Sequence, residues 1–374
     1  LRWGRGQDVD DEDGDGDTGE ARGWLLGEVL HSRPLVLDYG ATGGYSAAEP
    51  NRRIFFGAGD GALHSVRDRD VDGAESGEEV YAFLPREMLG RLRQRRQNTG
   101  SSLRKDYGVD GSPVALVRDR HGDGTIDFRD GDEALIFFGL RRGGSSYYAL
   151  DVSDPDAAPR LRWKISPHPA GDFSELGLSF SEPVVTRVRY GGNAVDALIF
   201  AGGYNGGWSE NGRARLGKDA GAAEDGRGNA VYIVDARSGE LLWKAVSGNT
   251  GPVSNTRYQH AGLVHSIPSR VTVLESGSGI AHRAYVGDTG GQLWRIDLPQ
   301  GNSLDHRRDN WSISLLASLG DAAAQGDRRF FHAPEVVESY DQWGEFDGVL
   351  IASGDRAHPL ETVAENYLFY LKDR

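Results

Sequence analysis

The sequence predicts an all-β chain, a β-propeller of four-stranded antiparallel blades with long inserted loops, and three patterns predict it. First, a Pro-bearing strand signal recurs five times, at His31–Asp38, Gly111–Val117, Ser181–Thr186, Ser266–Val273 and His332–Val337. Second, roughly twenty residues beyond each Pro, an apolar strand signal ends in small residues. These are Ile54–Gly57, Leu135–Gly139, Leu198–Gly202, Ala284–Gly287 and Val349–Ser353. Third, a fixed order of strands at a repeating interval marks a radial or solenoid array.

The elements follow in order within each unit. After the small-residue strand comes a third strand that often ends in Asp: Tyr147–Asp151, Val231–Asp235, Leu293–Asp297 and Tyr367–Tyr370. Three units add a fourth, Trp-containing strand at Leu161–Trp163, Leu241–Trp243 and Trp311–Leu315. Turn residues such as Ser153-Asp-Pro155 and Ser238-Gly239 separate the third strand from the fourth. Four consecutive antiparallel strands describe a propeller blade, which cannot bury both faces of its sheet alone and must stack with others around an axis. Successive repeat prolines (34, 113, 183, 268, 334) are 79, 70, 85 and 66 residues apart. That exceeds the ~40–50 residues of a simple blade. The excess is either long loops or one or two degenerate blades, giving five clear units and up to seven blades.

Three stretches read as insertions. Pro85–Gln97 has helix formers after a Pro, which predicts a short surface helix with a solvated basic face. Trp208–Gly228 and Leu316–Arg329 read as loops. No domain boundary stands out, so residues 1–374 are expected to form a single propeller domain. Residues 1–23 are either an acidic loop on it or a link to an N-terminal domain. The abrupt first and last residues predict removal of a signal peptide or a piece of a longer chain.

Composition narrows the function classes. The chain has 374 residues, 53 of them Gly, and no Cys. The absence of Cys excludes disulfides, thiolate metal sites and cysteine nucleophiles. A net charge of −14 argues against nucleic-acid or anionic-membrane binding. No apolar run is long enough to insert into a bilayer.

Two acidic tracts carry metal-binding chemistry. Residues 119–130 resemble an EF-hand-type calcium loop. Asp119, Asp123 and Asp127 stand at positions 1, 5 and 9, and Gly124 at position 6 permits the sharp turn. Thr125 would offer its carbonyl, and Ile126 would anchor the loop to the core. His121 stands where Asp or Asn is usual, and Asp130 replaces the usual Glu at position 12, with Asp132 and Glu133 close behind. In the second tract Asp11, Asp13, Asp15 and Gly16 match positions 1, 3, 5 and 6, with Asp17 and Glu20 as further candidates. So many like charges repel one another unless a cation neutralises them. The alternatives are an ion-free Asp/Gly hairpin for 119–130 and a disordered acidic linker for 8–20.

Catalytic patterns are missing: there is no G-x-S-x-G, H-E-x-x-H or P-loop. His31, His265 and His332 lie beside repeat Pro strands and His64 follows a small-residue strand, so they read as structural. The Trp residues read as packing between blades. Ala284–Trp294 and Val231–Trp243 look like the blade motif of quinoprotein dehydrogenases, which hold pyrroloquinoline quinone and calcium. The vicinal cysteine pair common in that class is absent, and the expectation is no enzyme.

Six phrases in family order cover nearly the whole chain: Leu26–Pro34, Phe56–His64, Val109–Val114, Tyr148–Pro155, Gly202–Asn205 and Tyr285–Asp297. Together they resemble the C-terminal propeller of the PilC/PilY type IV pilus tip proteins. The resemblance implies a secreted bacterial adhesin and pilus assembly factor at the pilus tip or outer membrane, with calcium controlling extension and retraction. It implies minor pilins and a host or abiotic surface as partners, and a further N-terminal region. Non-enzymatic scaffold propellers and quinoproteins are the alternatives. One departure is plain: the family's Asp-rich loop before the Tyr-x-Gly-Asp strand is here Val273–Ile280, which lacks the Asp cluster. Any calcium role therefore passes to 119–130 or 8–20.

Overall fold

The first two repeats are explained by how the small-residue strand ends. At Gly57 a Cβ would come within 2.3 Å of the Val109 carbonyl, and at Gly139 within 2.8 Å of the Ser179 carbonyl. Val109 and Ser179 lie just before the next repeat Pro, so the strand end abuts backbone leading into the following unit, and only Gly fits. Within a unit, a buried Ser two residues before the Pro ties the start of that unit to its second strand. Ser32 Oγ accepts the Gly57 N–H at 2.9 Å, and Ser181 Oγ accepts the Ala201 N–H at 2.9 Å.

The computed structural model describes residues 2–97, 105–208, 215, 216, 218, 221–299 and 311–374. Five sheets correspond to the five sequence units. The first has strands β1 (Leu35–Asp38), β2 (Arg52–Gly57), β3 (Leu63–Arg67) and β4 (Glu79–Phe83), in that order. The second has β5 (Val114–Arg118), β6 (Glu133–Gly139), β7 (Tyr147–Asp151) and β8 (Arg160–Ile165), again in order. The third comprises β9 (Val184–Tyr190), β10 (Asn193–Ala201), β13 (Ala230–Asp235) and β14 (Leu241–Ser247). A separate hairpin, β11 (Gly207–Trp208) with β12 (Arg215–Leu216), interrupts it in sequence. Two short strands, β15 (Gly251–Ser254) and β16 (Arg257–His260), widen the third sheet to six, with β16 running parallel to β14. The fourth has β17 (Thr272–Glu275), β18 (Ala281–Gly287), β19 (Gln292–Asp297) and β20 (Ser312–Ser318). The fifth has three strands, β21 (Glu335–Asp341), β22 (Gly344–Ala352) and β23 (Leu368–Asp373), with β23 at an edge.

The excess spacing is taken up by loops, the small hairpin and the two added strands. Pro85–Gln97 forms two helical turns, α1 (Arg86–Leu89) and α2 (Leu92–Gln97), because Gly90 ends the first. Part of the predicted loop at 208–228 (residues 209–214, 217, 219 and 220) lies outside the described residues. The predicted loop at 316–329 starts later, because β20 continues through Ser318. No helix among the described residues is long and apolar enough to cross a membrane.

The contacts divide the chain into two compact units. One comprises Leu1–Ile136, Arg142–Gly144 and Asp151–Arg160; the other Phe137–Arg141, Ser145–Leu150 and Leu161–Arg374. In the first, fully buried Arg53 holds the segment after β7. It donates to the Pro155 carbonyl at 3.1 Å and to Asp156 Oδ1 at 2.6 Å. In the second, Val188, Ile199, Ile233 and Trp243 of the third sheet pack with Trp294, Ile296 and Ile313 of the fourth. Tyr285 and Leu293 of the fourth sheet pack with Val349 and Ile351 of the fifth. These Trp residues occupy the packing role expected of them, and Trp163 Nε1 donates to the Ala236 carbonyl at 2.9 Å.

His64 has a structural role. It is buried, stacks on Phe56, contacts Asp60 Oδ2 through Nε2 at 2.9 Å and pairs with Glu79 through Nδ1. Burial pulls its pKa down, but the hydrogen bonds to Asp60 and then Glu79 outweigh it and raise the pKa to about 9. A raised folded pKa gives stability that is complete below the unfolded value near 6.5 and is lost as pH rises through about 9. We expect unfolding free energy to fall by roughly 2–3 kcal/mol across that window. His64→Gln should flatten the decline, as read by urea titrations at several pH values. An equal decline in both proteins would assign the pH effect elsewhere.

Candidate metal centre

The tract at 8–20 forms a closed loop in the first unit. Gln7 bridges to Ala21, and the Asp8 N–H donates to the Glu20 carbonyl at 2.8 Å, making a neck. Asp8 is buried there. Its carboxylate accepts the N–H groups of Glu12 at 2.8 Å and Asp10 at 3.3 Å. Arg22 stacks on Trp3 and faces Glu12 at 3.7 Å, and Arg96 of α2 pairs with Asp10.

Above the neck, backbone N–H groups aim the carboxylates. Asp11 Oδ1 accepts the Gly16 N–H at 3.0 Å, and Gly16 has φ +89°. Asp15 Oδ1 accepts the Asp17 N–H at 2.7 Å, and Asp17 Oδ1 the Gly19 N–H at 2.8 Å. Two groups of carboxylate oxygens then gather within 4.8 Å: Asp11, Asp13 and Asp15, and Asp8, Asp13 and Glu20. Asp13 belongs to both. The repulsion registers on Glu20, whose pKa is raised chiefly by Asp15 and Asp13. A set of hard oxygen donors, buried at Asp8 and exposed at Asp13, Asp15 and Glu20, is suited to a divalent cation such as calcium. Asp17 is spent on its own turn and stands outside both groups.

The loop at 119–130 has the same backbone device. Asp119 Oδ2 accepts the Gly124 N–H at 2.8 Å, again five residues on, and Gly124 has φ +77°. Asp119 Oδ1 accepts from Gly122 at 2.6 Å and His121 at 3.0 Å. These bonds, the one from Gly124 foremost, hold its carboxyl below the usual range. Ile126 is buried as expected, and its N–H donates to the Tyr39 carbonyl at 3.2 Å. A Cβ at Gly40 would meet the Gly124 carbonyl at 2.4 Å, so glycine is required where the loop docks.

The carboxylates of this loop are engaged separately. Asp123 Oδ1 accepts the Thr125 N–H at 2.9 Å, and Asp127 Oδ1 caps the short turn at Phe128–Asp130 through the Arg129 N–H at 2.9 Å. His121 is exposed and lies 3.9 Å from Asp132. Among the described residues, no three ligand groups of this loop gather as those at 8–20 do. Asp132 is its buried organiser, bonding the Arg120 N–H at 2.9 Å and the Asp127 N–H at 3.0 Å. Asp8 and Asp132 are the contributors that position counting did not single out as ligands. Each lies outside the twelve residues counted, and its burial is the distinguishing feature.

The segment Val273–Ile280 is the end of β17 followed by a tight turn at 276–280 into β18. Its one carboxylate, Glu275, accepts the Thr186 hydroxyl at 2.5 Å. Two of the histidines beside the repeat strands are also occupied. His31 contacts Asp110 at 2.7 Å, and His265 contacts Lys218 at 2.9 Å. Lys218 in turn pairs with buried Asp225 at 3.1 Å.

Residues 36–340 match the family described as the PilY1 beta-propeller domain. The chain is 29% identical to the type IV pilus biogenesis factor PilY1 of Pseudomonas aeruginosa PAO1, over 92% of this chain and 26% of that protein. It is 26% identical to a PilY1 homolog of Xylella fastidiosa, over 74% of this chain and 19% of the homolog. The chain thus spans about a quarter or less of these relatives' length. The crystal structure of the Pseudomonas aeruginosa PilY1 C-terminal domain superposes with a TM-score of 0.56 at 24% identity, covering 86% of this chain and 57% of that one. Blade-like sheets with strands in sequential order, the repeated Gly and Ser-x-Pro contacts, and a family match over most of their length lead to one assignment: the chain belongs to the PilY1 β-propeller family.

Proposed function

We propose that this propeller acts in type IV pilus biogenesis, in pilus assembly, retraction control and surface adhesion, without an enzymatic step. The observation that carries the reading is the family match over residues 36–340. Its relatives are named as type IV pilus biogenesis factors. In this reading the protein works at the bacterial surface or pilus tip, with minor pilins and a host or abiotic surface as partners. A rigid sheet scaffold that carries variable loops suits recognition better than turnover.

Calcium is the proposed modulator. The donor set at 8–20 supports it: Asp11, Asp13 and Asp15, with Asp8 and Glu20 sharing Asp13. The loop at 119–130, with Asp119, Asp123, Asp127 and Asp130, is the second candidate. A bound cation would replace repulsion at Glu20 with attraction and draw the carboxylates together.

Piliation and twitching test the reading in the source bacterium. Deleting residues 1–374 should reduce pilus number, and Asp11→Ala/Asp13→Ala should reproduce part of that defect. Normal piliation in the deletion strain would remove the assembly role. For the purified chain, calcium should raise the melting temperature by a few degrees, and Asp13→Ala should abolish that rise. A rise that survives both Asp13→Ala and Asp123→Ala would exclude these loops.

A further inference from the structure

The second unit carries an open cleft of about 820 Å³ that neither acidic loop touches. Small residues such as Ala322, Ala324 and Ala352 line much of it. On one side the charges are consumed internally. Arg329, almost fully buried, grips both oxygens of Asp327 at 3.0 Å and reaches Asp355 at 3.0 Å. Asp355 also accepts from His358 at 2.9 Å.

Arg356 and His332 differ. Both line the cleft, both are exposed, and neither side chain has a hydrogen bond or ion pair among the described residues. Partial desolvation, then the positive charges of Arg356 and Arg141, hold His332 below its ordinary pKa. Arg141 is kept in a left-handed backbone, φ +50°, with its guanidinium 4.5 Å over the Phe180 ring. Strain of this kind at a non-glycine residue persists where the surroundings fix a side chain in place. Arg356 thus supplies the outward-facing positive charge of this wall, and the charge of Arg141 reaches His332 from behind it.

Asp321 and Glu361 also line the cleft. Each spends one carboxylate oxygen on a nearby backbone N–H, of Ala323 at 2.8 Å and Val363 at 2.7 Å. The second oxygen of each has no partner among the described residues. An ionised carboxylate only accepts, so it selects hydroxyl or amine donors, whereas an unpaired guanidinium selects an oxyanion. A basic peptide would meet the positive wall, and a polyphosphate would meet Asp321 and Glu361. A molecule with one carboxylate among several hydroxyls satisfies both.

We propose that the cleft binds an acidic sugar within a glycan, with Arg356 on the sugar carboxylate and Asp321 and Glu361 on ring hydroxyls. Neutral His332 supplies a further hydrogen bond to a hydroxyl. The volume suits an oligosaccharide rather than a single small anion. The proposal gives the adhesive part of the proposed function a ligand class, and it is tested on the purified chain, independently of pilus assembly.

The experiment is titration calorimetry of the 374-residue chain with six probes: trigalacturonate, its methyl ester, sialyllactose, lactose, inorganic phosphate and a lysine-rich peptide. At least one acidic sugar should bind at least tenfold more tightly than its uncharged counterpart. Arg356→Ala should weaken that binding about tenfold or more, the worth of one charge-assisted pair. Its melting temperature should stay at the wild-type value, because Arg356 is exposed and unpaired. Asp321→Asn/Glu361→Gln should weaken the same probe. Absence of binding by both acidic sugars, unchanged affinity in Arg356→Ala, or equal affinity for inorganic phosphate or a lysine-rich peptide would each overturn the proposal. Lost sugar binding in Arg356→Ala with normal pilus number in cells supports it and leaves the assembly reading intact.

Discussion

Trp294→Ala lowers the unfolding free energy by about 3–5 kcal/mol, the range for removing a large buried aromatic. Trp294 is fully buried in the cluster that joins the third and fourth sheets. Its ring also does polar work: Nε1 donates to Asp288 Oδ2 at 2.8 Å. Asp288 is itself fully buried, and burial raises its carboxyl to about 6 despite that bond and those from Gln292 and Gly290. Near neutral pH the carboxylate therefore depends on every donor it has. Trp294→Phe separates the two contributions. It keeps most of the ring and loses the N–H, and should cost about 1–3 kcal/mol through the unsatisfied carboxylate. Chemical denaturation followed by circular dichroism reads both. A Phe variant as stable as wild type would remove the Asp288 bond from the account.

The second large effect lies in the other unit. Arg53→Ala should cost about 2–4 kcal/mol, because it leaves the buried Asn51 side chain and the Pro155 carbonyl without their donor, while exposed Asp156 can turn to water. Arg53 is fully buried on β2. It donates to the Pro155 and Arg52 carbonyls, each at 3.1 Å, to Asp156 at 2.6 Å, and to Asn51 Oδ1. Four acceptors in different directions match a planar fork with five donors. Arg53→Lys keeps the charge but cannot span them, so it should recover little. A loss below about 1 kcal/mol in Arg53→Ala, within the range of an ordinary surface substitution, would mean that the segment around Pro155 is held by other contacts.

The sequence was most informative where local chemistry and tertiary contact coincide. The repeat Pro marks the start of a strand, and the Gly at the end of the second strand is forced by the backbone of the next unit, as at Gly57 and Gly139. The recurring pattern is therefore an imprint of packing, and five sheets could be counted from it. The widening of the third sheet was not legible. Gly251–Ser254 and Arg257–His260 are short, polar and without alternation, and their place beside β14 depends on partners far from any periodic signal. Position counting from Asp11 and Asp119 found two loops with the same Asp-to-Gly bond. It did not find how the carboxylates converge. At 119–130 backbone N–H groups draw them apart, and at 8–20 the neck at Asp8 and Glu20 folds them together. Burial at Asp8 and Asp132 is a tertiary property that spacing does not encode.

The free edge of β23 bears on how this protein behaves in a concentrated solution. Among the described residues β22 is its one neighbour, and Leu368 and Tyr370 stand exposed along it. An unpaired strand edge with apolar side chains is a template for growth from one molecule to the next. What interrupts that template is charge at its far end. Lys372 and Arg374 both reach Asp341 of β21, at 2.8 and 2.6 Å, and keep two cations beside the edge. Neutralising them would remove the two charges that stand at this end of β23 and leave Leu368 and Tyr370 more open to strand pairing with another molecule.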